Sequence, residues 1–247
     1  MMAGTMNESR RKVPRTLRAA TYNIHSSVGT DSRRDPGRIA RVIRRIDPDL
    51  VGLQELDFGY WRRCGKEELG RLESETGLRL ILGPTLAREE AHYGNAVLTR
   101  LPVVSSRRHD LSVPGFEPRG ALEVRLKSGD LLLRAVVTHF GLKKAERVRQ
   151  IRGLLRLLED DSADLTLLFG DFNEWSVFGP ACRRLHRALG RADSRPTFPS
   201  RFPLFRLDRI WCRPAPALGK VWAEKTALTR KASDHLPLVA EISLEEL

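Results

Sequence analysis

Apolar positions along the chain follow two rhythms: short continuous runs, as in buried strands, and spacings of three and four, as in helices. The run Leu165-Thr-Leu-Leu-Phe-Gly170 reads as a buried strand that releases Asp171 and Asn173 on one side of its end. Arg18–His25 and Asp49–Glu55 have the same texture. The first puts Asn23 and His25 on one face. The second ends in a carboxylate, Glu55, where apolar character stops. Leu78–Leu82, Gly94–Thr99, Arg119–Leu126 and Leu131–Phe140 are strand-like and joined by turns, with Ser128-Gly-Asp130 a hairpin turn. Leu207–Trp211, Lys220–Ala227 and Leu236–Ile242 are three more strands.

Helices fall between them. Asp35 caps one and Pro36 opens it; Ile39, Val42, Ile43 and Ile46 form its apolar face, Arg41, Arg44 and Arg45 its wet face, and Pro48 ends it. Glu67–Thr76 is a second helix, with Leu69 and Leu72 inward and Gly77 as its stop. Lys143–Glu159 carries the stripe Val148, Ile151, Leu154, Leu155 and Leu158, and a weaker helix spans Pro180–Leu189. Two βα units, a run of strands, a helix, a strand, a helix and final strands predict an α/β fold of two packed sheets with helices outside. No composition break divides it. We expect one domain over residues 17–247, preceded by a flexible basic tail, 1–16, that contains Arg10-Arg-Lys12.

Composition adds three constraints. At 247 residues and 41% hydrophobic, the chain can bury a sizeable core. The net charge of +12 draws polyanions: nucleic acid, an anionic lipid surface or a phosphorylated substrate. Three scattered cysteines, Cys64, Cys182 and Cys212, argue against a disulfide scaffold and for a reducing, cytoplasmic setting. The basic start has no apolar region behind it, and no run of about 18 apolar residues occurs, so neither a signal peptide nor a transmembrane helix is expected. A monomer is expected.

The strand ends collect Asn23, Glu55, His139, Asp171, Asn173, Asp208, Asp234 and His235 while the strand bodies stay apolar. Each has an ordinary role if taken alone. Asp171 and Asn173 could be a turn and a helix cap, Asn23 a buried amide, His139 a core histidine, and His235 a surface histidine before a strand. Together they describe a polar pit on an apolar scaffold. Carboxylate and amide oxygens, with no thiolate and no paired histidines, suit Mg²⁺ or Mn²⁺ rather than zinc. A basic surface around an acidic pit suits a phosphate ester, recruited by charge and neutralised at the metal.

At this level the chain resembles the endonuclease/exonuclease/phosphatase superfamily, whose members include exonuclease III-like nucleases, sphingomyelinases and tyrosyl-DNA phosphodiesterases. The resemblance rests on seven motifs in the family's order: T-Y-N-I-H around Asn23, L-Q-E at Glu55, G-N-A-V-L-T-R at Asn95, T-H at His139, G-D-F-N at Asp171, L-D-R-I-W at Asp208 and S-D-H at His235. It implies a DNase I-like four-layer α/β-sandwich, two mixed sheets flanked by helices, and metal-dependent hydrolysis of phosphoesters. It further implies Glu55 as principal metal ligand with Asn23 beside it and Asp234 near the metal. Asp171 and Asn173 would activate the attacking water, His235 would meet the phosphoryl group with Asp208 orienting it, and His139 would lie against the phosphate. Arg119 would clamp the phosphate, with Tyr93 and Asn95 lining the pit. The first motif departs from the N-x-D of apurinic-site nucleases, since it reads Asn23-Ile-His25. That weakens a DNA-repair assignment and leaves nucleic acid, a phospholipid headgroup and a small phosphodiester as substrate classes, with peripheral contact to an anionic membrane. A catalytically weak polyanion-binding protein on the same fold is the alternative. Trp61, Trp175, Phe198 and Phe202 are either a stacking rim or edge packing, and Thr197-Phe-Pro199 shapes a loop over the site.

Overall fold

The computed structural model describes residues 15–60, 67–88, 91–159, 162–176, 179–190 and 192–247. Most of the expected basic tail, together with Trp61 and Cys64, lies outside the described residues. Strand β1, Thr16–Asn23, begins one residue inside that tail.

Among the described residues, eleven strands make two sheets. Sheet one runs β10-β11-β1-β2-β4-β3. Its other members are β2 (Leu50–Phe58), β3 (Arg79–Arg88), β4 (Ala91–Thr99), β10 (Leu218–Ala223) and β11 (Leu238–Ser243). Sheet two runs β5-β6-β7-β8-β9, from Val103–Asp110, Gly120–Ser128, Leu131–His139, Leu165–Asp171 and Asp208–Arg213. Among the described strands, the β1–β2 and β7–β8 pairs are parallel and the other strand pairs antiparallel, so both sheets are mixed.

The sheets pack face to face through Leu50, Val97, Leu122, Val137, Leu167, Phe169 and Ile210. Gly52 allows the close approach, because a Cβ there would meet the Phe169 ring at 2.3 Å. Helices α1 (Pro36–Ile46) and α2 (Glu67–Thr76) cover the outer face of sheet one, with Ile39, Ile43 and Leu72 against Tyr22 and Leu53. Helices α3 (Lys144–Leu157) and α4 (Pro180–Leu189) cover sheet two, with Ile151, Leu154 and Leu185 against Phe172 and Trp211. This is the expected four-layer sandwich. The Asp35 cap is real: its carboxylate accepts from Arg38 N at 2.9 Å, a contact worth about 1 kcal/mol.

The structure corrects several expectations. Strand β2 does not stop at Glu55 but runs on to Phe58 through a register shift between Leu53 and Leu56. Asn23 and His25 do not continue one strand face, because His25, Ser26 and Ser27 all turn left-handed. The segment expected as strand Lys220–Ala227 divides into β10, ending at Ala223, and a short helix α5, Ala227–Ala232. The sequence pattern predicts no strand at β5, because its side chains are nearly all exposed and mostly polar, and an edge strand wet on both faces has no alternation to betray it.

Candidate active site

The register brings polar strand ends of both sheets to one edge. In sheet two, His139 pairs with Asp171 and Asp171 with Asp208. In sheet one, Asn23 ends β1 opposite Gln54, one residue before Glu55. Two backbone devices aim the carboxylates. Glu55 sits at φ 57° within the β2 irregularity, a left-handed conformation costing roughly 1–3 kcal/mol, and a bulge of this kind re-aims a side chain. Gly170 has φ 154°, and a Cβ there would fall 1.9 Å from Thr138 O. Only glycine fits immediately before Asp171.

Asn23 is the hinge pin. Its Nδ2 donates to Glu55 Oε1 at 2.8 Å and to Asp171 Oδ2 at 3.1 Å, linking the two sheets. Its Oδ1 accepts from His25 N at 3.0 Å. The amide nitrogen, not the oxygen, therefore faces the carboxylates. Asp171 Oδ1 accepts from Asn173 N at 2.9 Å, and Asn173, itself at φ 46°, donates from Nδ2 to Phe140 O at 2.9 Å. No helix begins there, so Asn173 is not a cap, and its left-handed turn replaces the simple alternation read from sequence.

His235 Nδ1 donates to Asp208 Oδ2 at 2.9 Å, and its Nε2 faces Asp171 Oδ2 at 3.7 Å. Burial alone would lower the His235 pKa, but the charges of Asp208 and Asp171 outweigh it and hold the ring cationic. Burial pushes the Asp171 carboxyl up; Asp208 adds to this while His235 opposes it. His139 is the contrasting imidazole. Its Nε2 lies 3.1 Å from Asn173 Nδ2 and its Nδ1 3.5 Å from Arg119 Nη1. Burial first, then the charges of Arg119 and His235, push it well below the ordinary histidine range, so it is neutral at pH 7.

Arg119 is buried and also donates to Glu117 Oε1 at 2.9 Å. Tyr93 lies within the reach of Glu55, Glu117 and Arg119: burial and the two carboxylates raise its phenol while Arg119 opposes them. Asn95 is buried between the sheets, where its Nδ2 donates to Gly120 O at 3.0 Å. Asp234 is half-buried, 3.8 Å from His25 Nδ1, and its charge reaches His235. Sequence reasoning put the Thr197-Phe-Pro199 loop over the site but missed its contacts with the Asp208–His235 couple. The Thr197 hydroxyl donates to Asp208 Oδ2, and the Phe198 ring packs 4.9 Å from the His235 ring. Glu174, also missed, is buried beside Arg147 at 3.6 Å and braces the turn after Asn173. A threonine between an arginine-rich loop and Asp208 carries no spacing signal.

The donor chemistry fits a hard cation. Glu55 and Asp171 converge on one amide, and single atoms of Asp171, Asp208 and His235 lie within 4.8 Å of one another. The described cysteines take no part: burial raises the Cys182 thiol to about 11 and Cys212 to about 12.

Fold and pit together define a DNase I-like α/β-sandwich hydrolase class. The sequence model of the Endonuclease/Exonuclease/phosphatase family matches residues 20–235. Uncharacterized protein YbhP of Escherichia coli K12 is 31% identical over 248 residues, covering 93% of this chain and 97% of YbhP. Among solved structures, the mannosyl-6-phosphatase Bt3783 of Bacteroides thetaiotaomicron superposes with a TM-score of 0.68 at 18% identity, over 91% of this chain and 98% of that one. D. rerio TDP2 complexed with a single-strand DNA product gives 0.66 at 17%, over 92% and 98%. The chain belongs to the endonuclease/exonuclease/phosphatase family, whose members are typically phosphoester hydrolases and generally depend on divalent metal. No helix among the described residues is long and apolar enough to cross a membrane.

Proposed function

We propose that this protein hydrolyses phosphoesters, phosphodiesters in particular, with Mg²⁺ or Mn²⁺ held at Glu55. One observation carries this reading: a buried Asp208–His235 couple faces Asp171 across 3.7 Å, and Asn23 ties Asp171 to Glu55 of the other sheet. The cation would offset negative charge on the phosphoryl oxygens and the departing oxygen. The residues divide the remaining work. Asp208 fixes the His235 tautomer, leaving a cationic Nε2–H to meet a phosphoryl oxygen, following the logic of an Asp–His pair. Asp171 has a raised affinity for a proton and is oriented by Asn23 and Asn173, which suits it to take one from the attacking water. Neutral His139, Asn173 and Arg119 hold the phosphoryl group from the sheet-two side.

The names of the neighbours keep both ester types in view, since Bt3783 is named a mannosyl-6-phosphatase and TDP2 is seen with a single-strand DNA product. The test is hydrolysis of bis-p-nitrophenyl phosphate and of p-nitrophenyl phosphate with EDTA, Mg²⁺ or Mn²⁺, for wild type, Glu55→Ala and His235→Ala. Metal-dependent diester cleavage, cut by about 10³-fold or more in His235→Ala, is the expected outcome. A His235→Ala protein indistinguishable from wild type would sink the reading. Silence on both esters, with salt-dependent binding of DNA, would favour a polyanion-binding protein instead.

A further inference from the structure

Eight large apolar side chains are exposed among the described residues, and their distribution is lopsided. Phe202 (75%), Leu204 (72%), Leu142 (65%), Trp175 (47%), Phe116 (40%) and Phe205 (38%) all lie on loops at the active-site edge. The register fixes this placement. Phe116 precedes the start of β6, Leu142 follows the end of β7, Trp175 follows the end of β8, and residues 202–205 precede Asp208 at the start of β9. The other two, Val104 and Leu247, lie at the opposite edge and beyond β11. Scattered exposed apolar residues are ordinary, whereas six around one pit are not.

Basic residues flank Leu142 and the 202–205 segment, while Phe116 and Trp175 each neighbour a glutamate. Leu142 is followed by exposed Lys143 and Lys144, and Arg201 and Arg206 bracket Phe202-Pro-Leu-Phe205. Apolar tips flanked by Lys and Arg are the composition of surfaces that rest in the headgroup layer of an anionic bilayer, with the tips at the acyl boundary and the charges among phosphates. The net charge of +12 gives the same attraction at long range. The loop is also anchored to the pit. Ser200 N donates to Asp234 O at 2.6 Å, Leu236 N to Thr197 O at 2.9 Å, and Trp175 packs on Phe205 with ring centroids 4.8 Å apart. A stacking platform for bases needs free aromatic faces. Here the Phe198 ring is already engaged by His235 and Trp175, and the exposed set includes the aliphatic Leu142 and Leu204.

We propose that this rim docks on an anionic lipid surface with the mouth of the pit toward the bilayer. Drawing a headgroup phosphoester into the pit rests further on the hydrolytic reading above. Docking by itself does not.

The experiment is co-sedimentation of the full chain with vesicles of phosphatidylcholine alone and of phosphatidylcholine mixed with phosphatidylglycerol, alongside single-stranded DNA binding and hydrolysis of soluble bis-p-nitrophenyl phosphate. Variants are Phe202→Asp/Leu204→Asp and, separately, Leu142→Asp, all at exposed positions. Expected are binding to the anionic vesicles, a loss of roughly tenfold or more in the double variant, a smaller loss in Leu142→Asp, and unchanged soluble hydrolysis. Vesicle binding by wild type without any hydrolysis would leave docking standing and remove the hydrolytic reading. Docking is overturned if wild type ignores anionic vesicles, if both variants bind as wild type does, or if they lose DNA binding while vesicle binding is untouched.

Discussion

The same strands have two polar ends, and the ends differ in kind. At the edge away from the pit, charges meet opposite charges near water. Arg100 pairs with both Asp47 and Asp49, Arg15 meets Glu245 at 3.2 Å, and the Arg18 backbone N–H donates to Asp49 Oδ2 at 2.8 Å. The hydrogen bond from Arg100 holds the exposed Asp47 carboxyl below the usual carboxylate range. At the pit, Asp171, Asp208 and the cationic His235 are buried together, burial pushes Asp171 up rather than down, and Glu55 and Asn173 take left-handed backbone conformations. Polar strand ends are common. Burial of several ionised groups together with strained backbone is not, and on the hydrolytic reading it marks where stability has been given up for chemistry.

Substitutions at the two edges should therefore separate activity from stability. The largest effect belongs to Asp208→Asn. It keeps the shape of the side chain but removes the charge that holds His235, and kcat should fall by about 10²–10⁴-fold. Asp49→Ala should leave the rate alone and lower Tm by about 2–4 °C for a loss near 1 kcal/mol. Calorimetry and a diester assay on both variants check this, and a rate loss in Asp49→Ala would collapse the distinction.

A middle-sized effect concerns the cation. Mn²⁺ at about ten times its Kd should raise Tm by a few degrees, because it relieves crowding that only the pit edge has. Glu55→Ala should abolish that rise. An equal rise in the variant would place the ion elsewhere.

The smallest effect is in pH. His139 is neutral in the fold, so above about pH 6.5 it is neutral folded and unfolded and adds nothing. Below that value the unfolded chain takes a proton that the folded chain refuses. Stability should then fall by up to about 1.4 kcal/mol for each further pH unit, until the depressed folded pKa is reached. His139→Gln should flatten the decline in urea midpoint between pH 7.5 and 5.5. His235 works in the opposite sense, its contribution being present at low pH and lost as pH rises through its elevated folded value. It is common to both proteins and cancels from the comparison. Identical profiles would mean that His139 is not held neutral.

Much of this was legible in the chain. The capped start of α1, the full bounds of α2 and α4, and the polar residues at the ends of β1, β7, β8 and β9 could be read because periodicity and end chemistry agree there. The rest failed for physical reasons. Strand β5 has polar side chains on both faces. Helix α5 is a six-residue segment held by the Thr226–Thr229 capping contacts rather than by an apolar stripe. The left-handed turn at Glu55 is a tertiary device, since nothing in Leu53-Gln-Glu-Leu56 favours it locally. Asn23 was read beside a metal, yet its role as a donor between two sheets depends on a partner 148 positions away.

Strand β1 lies between β2 and β11, so the middle of sheet one joins an early segment of the chain to a late one. Ser233 ties the turn bearing His235 to the last carbonyl of β1, its hydroxyl donating to Asn23 O at 2.8 Å. The clasp has two jobs. Peeling away β11 would bare the central strand of the sandwich and, in the same motion, pull the imidazole from its aspartate. Loss of that strand is thus recorded at once as exposed backbone and as chemical silence, so a frayed molecule cannot persist as a half-competent one.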